Sequence, residues 1–103
     1  MQKFIHEEKK HPTEIKPYGI NFSAEIADGD SISDQDVTVL DVATGTDTTD
    51  DMLVVGSISE AANVVTCLIQ AGTSGKTYYI DHWADLASGA YIMGRIVIKV
   101  SST

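Results

Sequence analysis

The stretch YGINFSAEI, residues 18–26, alternates apolar and polar residues over nine positions. A period of two places alternate side chains on opposite faces of an extended chain, so the stretch predicts a half-buried β-strand. Residues 27–30, Ala-Asp-Gly-Asp, follow directly. They predict a turn, because Asp bonds nearby backbone amides and Gly accepts a positive φ without steric cost.

The rest of the sequence repeats this pattern at short intervals. Further strands are predicted from their β-branched and aromatic residues at 37–42, 52–58, 63–70, 77–80 and 91–100. Stretches rich in Gly, Ser, Thr and Asp separate them, and Ser88-Gly89 has the composition of a hairpin turn. No helical periodicity exceeds one turn. The sequence therefore predicts an all-β fold, an antiparallel sandwich of six to seven strands in residues 18–103.

Residues 1–17 differ from the rest. They are charged, contain both prolines and have only scattered apolar residues. We expect an extended N-terminal arm that forms no buried element of its own. Two interpretations stay open: the arm orders on a partner, as segments of low hydrophobicity do, or it is a terminus without a role.

Composition and charge exclude several classes of function. The chain has 103 residues, enough for one domain, and a formal charge of −8. Residues 1–17 carry four lysines against three glutamates, and the remainder carries three basic against twelve acidic residues. So acidic a body repels phosphate backbones, and we expect no nucleic-acid partner. No apolar run approaches the roughly 20 residues of a membrane span. Residues 1–10 are mostly charged or polar and contain no seven-residue apolar stretch, so we expect them not to act as a secretory signal.

Two motifs resemble known ligand-binding sites but do not match them fully. The stretch GTSGKT, residues 72–77, ends like a phosphate-binding loop, but Gln70 stands where that loop needs glycine, and Thr77 leads into a predicted strand instead of a helix. Aspartates cluster in residues 28–36 and 47–51, but their spacing fits no EF-hand loop, and Asp is also a common turn residue. We therefore predict no metal and no cofactor.

No set of residues predicts catalysis. His6 and His11 lie in the expected arm, and Cys67 lies inside a predicted strand, where cysteine is usually a buried apolar residue. As the single cysteine, Cys67 also excludes an internal disulfide. His82 is expected near the surface beside Trp83, and Trp83 is open to three interpretations: a core residue, a protein anchor or a sugar platform.

Several stretches together resemble a family. YGINF at 18–22, IADGDSI at 26–32 and VTV at 37–39 resemble the opening of small bacteriophage virion proteins with an immunoglobulin-like fold. Later motifs are also similar: GTSGKTY at 72–78, Ser88-Gly89, and the alternating strand that ends in Val100. The resemblance spans about residues 17 to 100. Two departures, the Thr- and Asp-rich loop 43–51 and the pair His82-Trp83, leave the docking position open.

The resemblance implies an immunoglobulin-like sandwich that acts as a non-enzymatic adaptor on the virion, joining fibers to tails. We expect several copies per particle, contacts with tail, fiber or capsid proteins, no membrane partner, and synthesis in the host cytoplasm. The alternatives are a decoration protein on the head and a carbohydrate-binding module. Trp83 could form an aromatic platform with Tyr78, Tyr79 and Tyr91, which are near it in the sequence. The residues expected to contact partners lie in the arm and at this platform: Phe4, Ile5, Lys9, Lys10, Ile15, His82 and Trp83.

Overall fold

The structure is a computed structural model that describes residues 2–102 of the chain and the side chains of residues 7–102. Its strands are β1 (Gln2–Lys10), β2 (Lys16–Asn21), β3 (Ile32–Asp41), β4 (Ser59–Ala61), β5 (Val64–Ile69), β6 (Thr77–Leu86) and β7 (Tyr91–Val100). A helical turn, α1, spans Thr49–Met52, and a 3-10 turn spans Ser23–Glu25. No helix in this part of the chain is long and apolar enough to cross a membrane.

The strands form two sheets that pack face to face. One sheet has the order β1-β7-β6-β3, and the other has the order β2-β5-β4. Alternate side chains of both sheets point between them, which confirms the predicted all-β sandwich. The buried apolar core consists mainly of these side chains: Tyr18, Ile20, Phe22, Val37, Val39, Met52, Val65, Cys67, Ile69, Tyr78, Ile80, Ala84, Ile96, Ile98 and Val100.

The strand orders bear on the predicted immunoglobulin-like topology. In those sandwiches, seven strands lettered A to G divide into sheets ABED and CFG. Here β2-β5-β4 has the order of strands B, E and D, and β3-β6-β7 has that of C, F and G. The first strand joins the second of these sheets rather than the first. The immunoglobulin-like assignment stays a prediction.

β1 lies where the sequence predicts an arm. Its backbone pairs in parallel with β7, from Gln2 beside Met93 to Lys10 beside Val100, whereas the other strand pairs are antiparallel. The prediction of a purely antiparallel sandwich is therefore wrong at this pair. A charged segment can take this place because an edge strand needs backbone partners on one side only, and charge on the free side discourages further pairing. A division of the chain into separate units at residue 17 stays a prediction.

Several predicted strands have different bounds in the structure. β3 begins at Ile32 instead of residue 37, and β6 continues beyond residue 80 to Leu86. The strand expected over residues 18–26 ends at Asn21, where the chain turns into the 3-10 segment. In the predicted strand at 52–58, the chain instead finishes α1 and makes a single bridge from Leu53 to Ile69. Local polar side chains favour this helical turn, because the Asp47 carboxylate accepts a hydrogen bond from the Thr49 amide at 2.9 Å.

Candidate partner-binding surface

Lys10, one of the expected contact residues, is buried in the sandwich. Only 1% of its surface is exposed, and its ammonium group donates hydrogen bonds to the carbonyl oxygens of Ala71 and His11. The carbonyl of Lys10 accepts a bond from the Ser101 amide at 2.9 Å. Lys10 therefore attaches the end of β1 to the body of the fold, and its side chain is not available at the surface of this chain.

His82, expected near the surface, is fully buried between the sheets. Its position on β6 points inward, because the neighbouring inward residues of that strand are Ile80 and Ala84. The Nε2 atom lies 3.2 Å from the Tyr18 carbonyl oxygen and 3.7 Å from the Cys67 sulfur. The Nδ1 atom is also buried and has no hydrogen-bond partner among the described residues. His82 is therefore a core residue.

Burial decides the protonation of this inner cluster. Desolvation lowers the pKa of His82, against weaker opposing effects of the Tyr18 and Ile80 backbone and of Asp81. Desolvation also raises the pKa of the Cys67 thiol to about 12. The pair is thus a neutral imidazole beside a neutral thiol, in a place that solvent does not reach. This arrangement does not make Cys67 a reactive nucleophile, because the reactive form is the thiolate.

The buried imidazole makes the stability depend on pH. In the unfolded chain a histidine takes up a proton below about pH 6.5, whereas folded His82 does so only at lower pH. His82 therefore lowers the free energy of unfolding as the pH falls from about 6.5 toward its folded pKa, by up to about 1.4 kcal/mol per pH unit. We expect the His82→Gln variant to lose this component in urea titrations between pH 7.5 and 5.

The matched control is His11→Gln, which removes an exposed histidine. It should keep the pH dependence of the unmodified chain, including the part that the carboxylates contribute. Equal slopes for His82→Gln and the unmodified chain would show that the buried imidazole does not govern stability in this pH range.

The remaining expected contact residues are more accessible. Lys9 and Ile15 are exposed, with Ile15 60% exposed, and Trp83 is half-buried. The backbone of Ile5 pairs with Arg95 in the register of β1 and β7. The side chains of Phe4 and Ile5 lie outside the described residues.

The motifs that imitate ligand sites have structural roles in the described residues. The Asp30 carboxylate accepts bonds from the Ser88 hydroxyl at 2.6 Å and the Ser88 amide at 3.0 Å, which ties two turns together. Lys76 pairs with the Asp41 carboxylate at 2.8 Å, and Thr77 begins β6. Among residues 7–102, no group of three or more His, Cys, Asp or Glu side chains is placed to hold a metal ion.

One side of the four-stranded sheet faces away from the other sheet, and we call it the outer face. By alternation, β6 presents Tyr79, Asp81, Trp83 and Asp85 on this side, while Tyr78, Ile80, His82 and Ala84 point into the core. The neighbouring strands add half-buried or exposed side chains to it: Asp36, Thr38, Leu40, Tyr91, Met93, Arg95 and Val97. The outer face is thus a broad surface that combines apolar, aromatic and charged groups.

An ion pair lies at the centre of the outer face. Arg95 donates to both oxygens of the Asp81 carboxylate, at 2.7 Å from Nε and 3.0 Å from the terminal nitrogen. The guanidinium carbon also lies 4.1 Å from the centroid of the Tyr79 ring. Asp81 and Arg95 are directly opposite each other on β6 and β7. The guanidinium thus contacts both a carboxylate and an aromatic ring of β6.

Trp83 is neither a core residue nor fully exposed. Its ring stacks on that of Tyr91, with centroids 5.2 Å apart and the planes inclined by 13°. The indole nitrogen donates to the Thr38 hydroxyl at 3.2 Å. Tyr91 is 56% exposed, so the stacked pair forms an aromatic surface at one end of the outer face. The sequence places Tyr91 among three tyrosines that could join Trp83 in an aromatic platform, and the β6–β7 register is what selects Tyr91 for the stack.

The fold and these surfaces define a small β-sandwich protein that exposes aromatic side chains on one sheet face and buries His82 and Cys67 in its core. The family model of the podophage GP4 fiber-tail adaptor protein gp77 matches residues 10–99, which cover β2 to β6 and nearly all of β7. The chain belongs to this family of virion adaptor proteins, which confirms the predicted relation to small phage virion proteins. A comparison with curated proteins found no match.

Proposed function

We propose that this chain joins the fiber to the tail of a podophage particle and has no enzymatic activity. The observation that carries the proposal is the family match, which covers the sandwich almost completely instead of a single short motif. An adaptor of this kind binds at least two virion proteins, so it needs accessible surfaces more than it needs a cleft.

The structure supplies such surfaces. The outer face offers Trp83 and Tyr91, and the exposed residues Lys9 and Ile15 lie at and beyond the edge strand β1. We propose contacts with partners at these residues, and also at Phe4 and Ile5 from the sequence alone. Aromatic side chains dominate the energy of many protein interfaces, because they bury a large area at little cost in conformational entropy. The acidic body supports partners other than nucleic acid.

Electron microscopy of particles tests the proposal. Particles made with and without this chain should differ in one respect: those without it should lack fibers, while density for the sandwich should lie between fiber and tail in the others. We expect several copies per particle, set by the number of fibers. Density spread in hundreds of copies over the head would instead make the chain a decoration protein. Fibers that attach normally without the chain would overturn the proposal.

A further inference from the structure

The outer face repeats one short pattern on β6. An aromatic residue and an aspartate two positions later occur twice, as Tyr79 with Asp81 and as Trp83 with Asp85. All four residues lie on the outer side of the strand. At the first copy, Arg95 lies over the Tyr79 ring and bonds to the Asp81 carboxylate. This sheet therefore already contains a combination of ring and carboxylate that holds a guanidinium group.

The second copy has the ring and the carboxylates without a cation. Tyr91 lies opposite Asp85, where the first copy has its arginine, and Asp36 lies opposite Trp83 on the other side. Asp36 and Asp85 are exposed. None of the ion pairs in the described residues involves either of them. We call the group Asp36, Trp83, Asp85 and Tyr91 the aromatic end of the outer face.

Charge at the aromatic end is uncompensated. Partial burial is the largest of the effects that raise the pKa of the Tyr91 phenol, and the nearby carboxylates of Asp85 and Asp36 raise it further. Arg95 is already bonded to Asp81. Lys99 lies opposite Thr77, eight residues along β6 from Asp85 and thus about 26 Å away along the strand. The group therefore presents negative potential around an exposed aromatic pair, which is complementary to a cationic side chain.

We propose that the aromatic end binds an arginine side chain of a partner protein. Because Tyr91 already occupies the place that Arg95 has in the first copy, the guanidinium would contact the exposed Tyr91 ring and the carboxylates of Asp85 and Asp36, the same kinds of group that hold Arg95. This inference rests on the proposed function, since the partner is then the fiber or tail protein that the adaptor joins. Arginine fits better than lysine because its planar guanidinium stacks on a ring and bonds a carboxylate with two donors at once.

The only tryptophan of the chain lies in the proposed site, so its fluorescence reports binding directly. The probe is an acetylated, amidated peptide of sequence Gly-Arg-Gly-Arg-Gly, with its lysine analogue for comparison. We expect a saturable change in Trp83 emission with the arginine peptide and at least about three-fold weaker binding of the lysine peptide. Replacing both carboxylates, as Asp36→Asn with Asp85→Asn, should weaken binding by about ten-fold or more.

The control is a second double variant, Asp50→Asn with Asp51→Asn, which removes the same charge from exposed residues of α1. It should change the affinity by less than about two-fold. Asparagine at position 36 keeps an acceptor for the Val37 amide, which now bonds the Asp36 carboxylate at 2.8 Å, so the fold should tolerate the change. Equal midpoints of urea unfolding check this.

Three results would overturn the inference: no change in Trp83 emission, equal binding of the two peptides, or an equal loss of affinity in the two double variants. The last result would indicate only a general attraction of the peptide to an acidic protein. Failure here is distinguishable from failure of the proposed function. If the Asp36→Asn, Asp85→Asn variant still attaches fibers and the unmodified chain does not bind the peptide, the proposed arginine site is wrong and the adaptor role stands. If the chain binds the peptide but fibers attach normally to particles that lack the chain, the adaptor role is wrong and the arginine site stands.

Discussion

Removal of residues 1–10 is expected to destabilise the sandwich and make it self-associate. β1 pairs along nearly the whole of β7, a ten-residue strand with alternating apolar residues. Without β1, the backbone donors and acceptors on that edge of β7 have no partner, and such an edge is a template for pairing with another chain. The loss of Lys10 and its two hydrogen bonds alone should cost about 2 kcal/mol. Urea unfolding and sedimentation at several concentrations measure both effects.

Lys10→Met in the full chain separates the two effects. This variant keeps β1 and an apolar stem but loses the ammonium group, so it should lose about 2 kcal/mol of stability and show no greater association than the unmodified chain. A shortened chain with an unchanged midpoint and unchanged sedimentation would contradict the pairing of β1 with β7.

Replacement of Asp81 by alanine is expected to lower the free energy of unfolding by about 2 kcal/mol. Asp81 is only 7% exposed, and its carboxylate receives two hydrogen bonds from Arg95. The change removes both bonds and leaves a half-buried guanidinium without its counter-charge, which costs more than the loss of an exposed ion pair. Chemical denaturation at neutral pH measures the change.

Asp85→Ala is the matched control, because it removes an exposed carboxylate from the same side of the same strand. It should change the stability by no more than about 0.5 kcal/mol. A double-mutant cycle uses Asp81→Leu and Arg95→Met singly and together. The double variant removes both charges and should be more stable than the sum of the losses in these two single variants predicts. Additive losses would show that the two side chains do not interact energetically.

Most of the fold was predictable from the sequence because period-two alternation is a local signal. β7 and the second half of β3 lie where apolar and polar residues alternate, whereas β5 and the start of β6 lie where β-branched and aromatic residues cluster. Ser88-Gly89 lies in the predicted β6–β7 turn. The turn α1 was not predicted, since it depends on two hydrogen bonds: the Thr49 amide donates to the Asp47 carboxylate, and the Thr49 hydroxyl accepts from the Val39 amide of the neighbouring strand β3.

The position of β1 could not be read from residues 2–10 themselves. What places them in a sheet is the free edge of β7, a partner some 90 positions later in the chain. Lys10 shows the same limitation: a lysine is expected to be exposed, and its burial is favourable because the carbonyl of Ala71, 61 positions later, accepts a hydrogen bond from it together with the carbonyl of His11. Long-range partners of this kind leave no local pattern in the sequence.

The candidate surface was predicted in part. Trp83 was among the expected contact residues, but its neighbour His82 faces the opposite side of the sheet, as adjacent residues of a strand must. The predicted strand ended at residue 80, before either residue, so the alternation that separates their two faces could not be applied to them. The stack on Tyr91 and the outward position of Asp36 required the register with β7 and β3, which composition does not specify.

The parallel pairing of β1 with β7 has a mechanical consequence. Gln2 lies beside Met93 and Lys10 beside Val100, so a chain pulled by the residues before β1 and after β7 would load these two strands along their length, in opposite directions. The hydrogen bonds between them would then resist in shear and share the force, whereas strands peeled apart from one end would lose their bonds one after another. If a connector between a fiber and a tail is pulled at these two strands, its backbone hydrogen bonds are therefore loaded in shear, the direction in which they resist separation best.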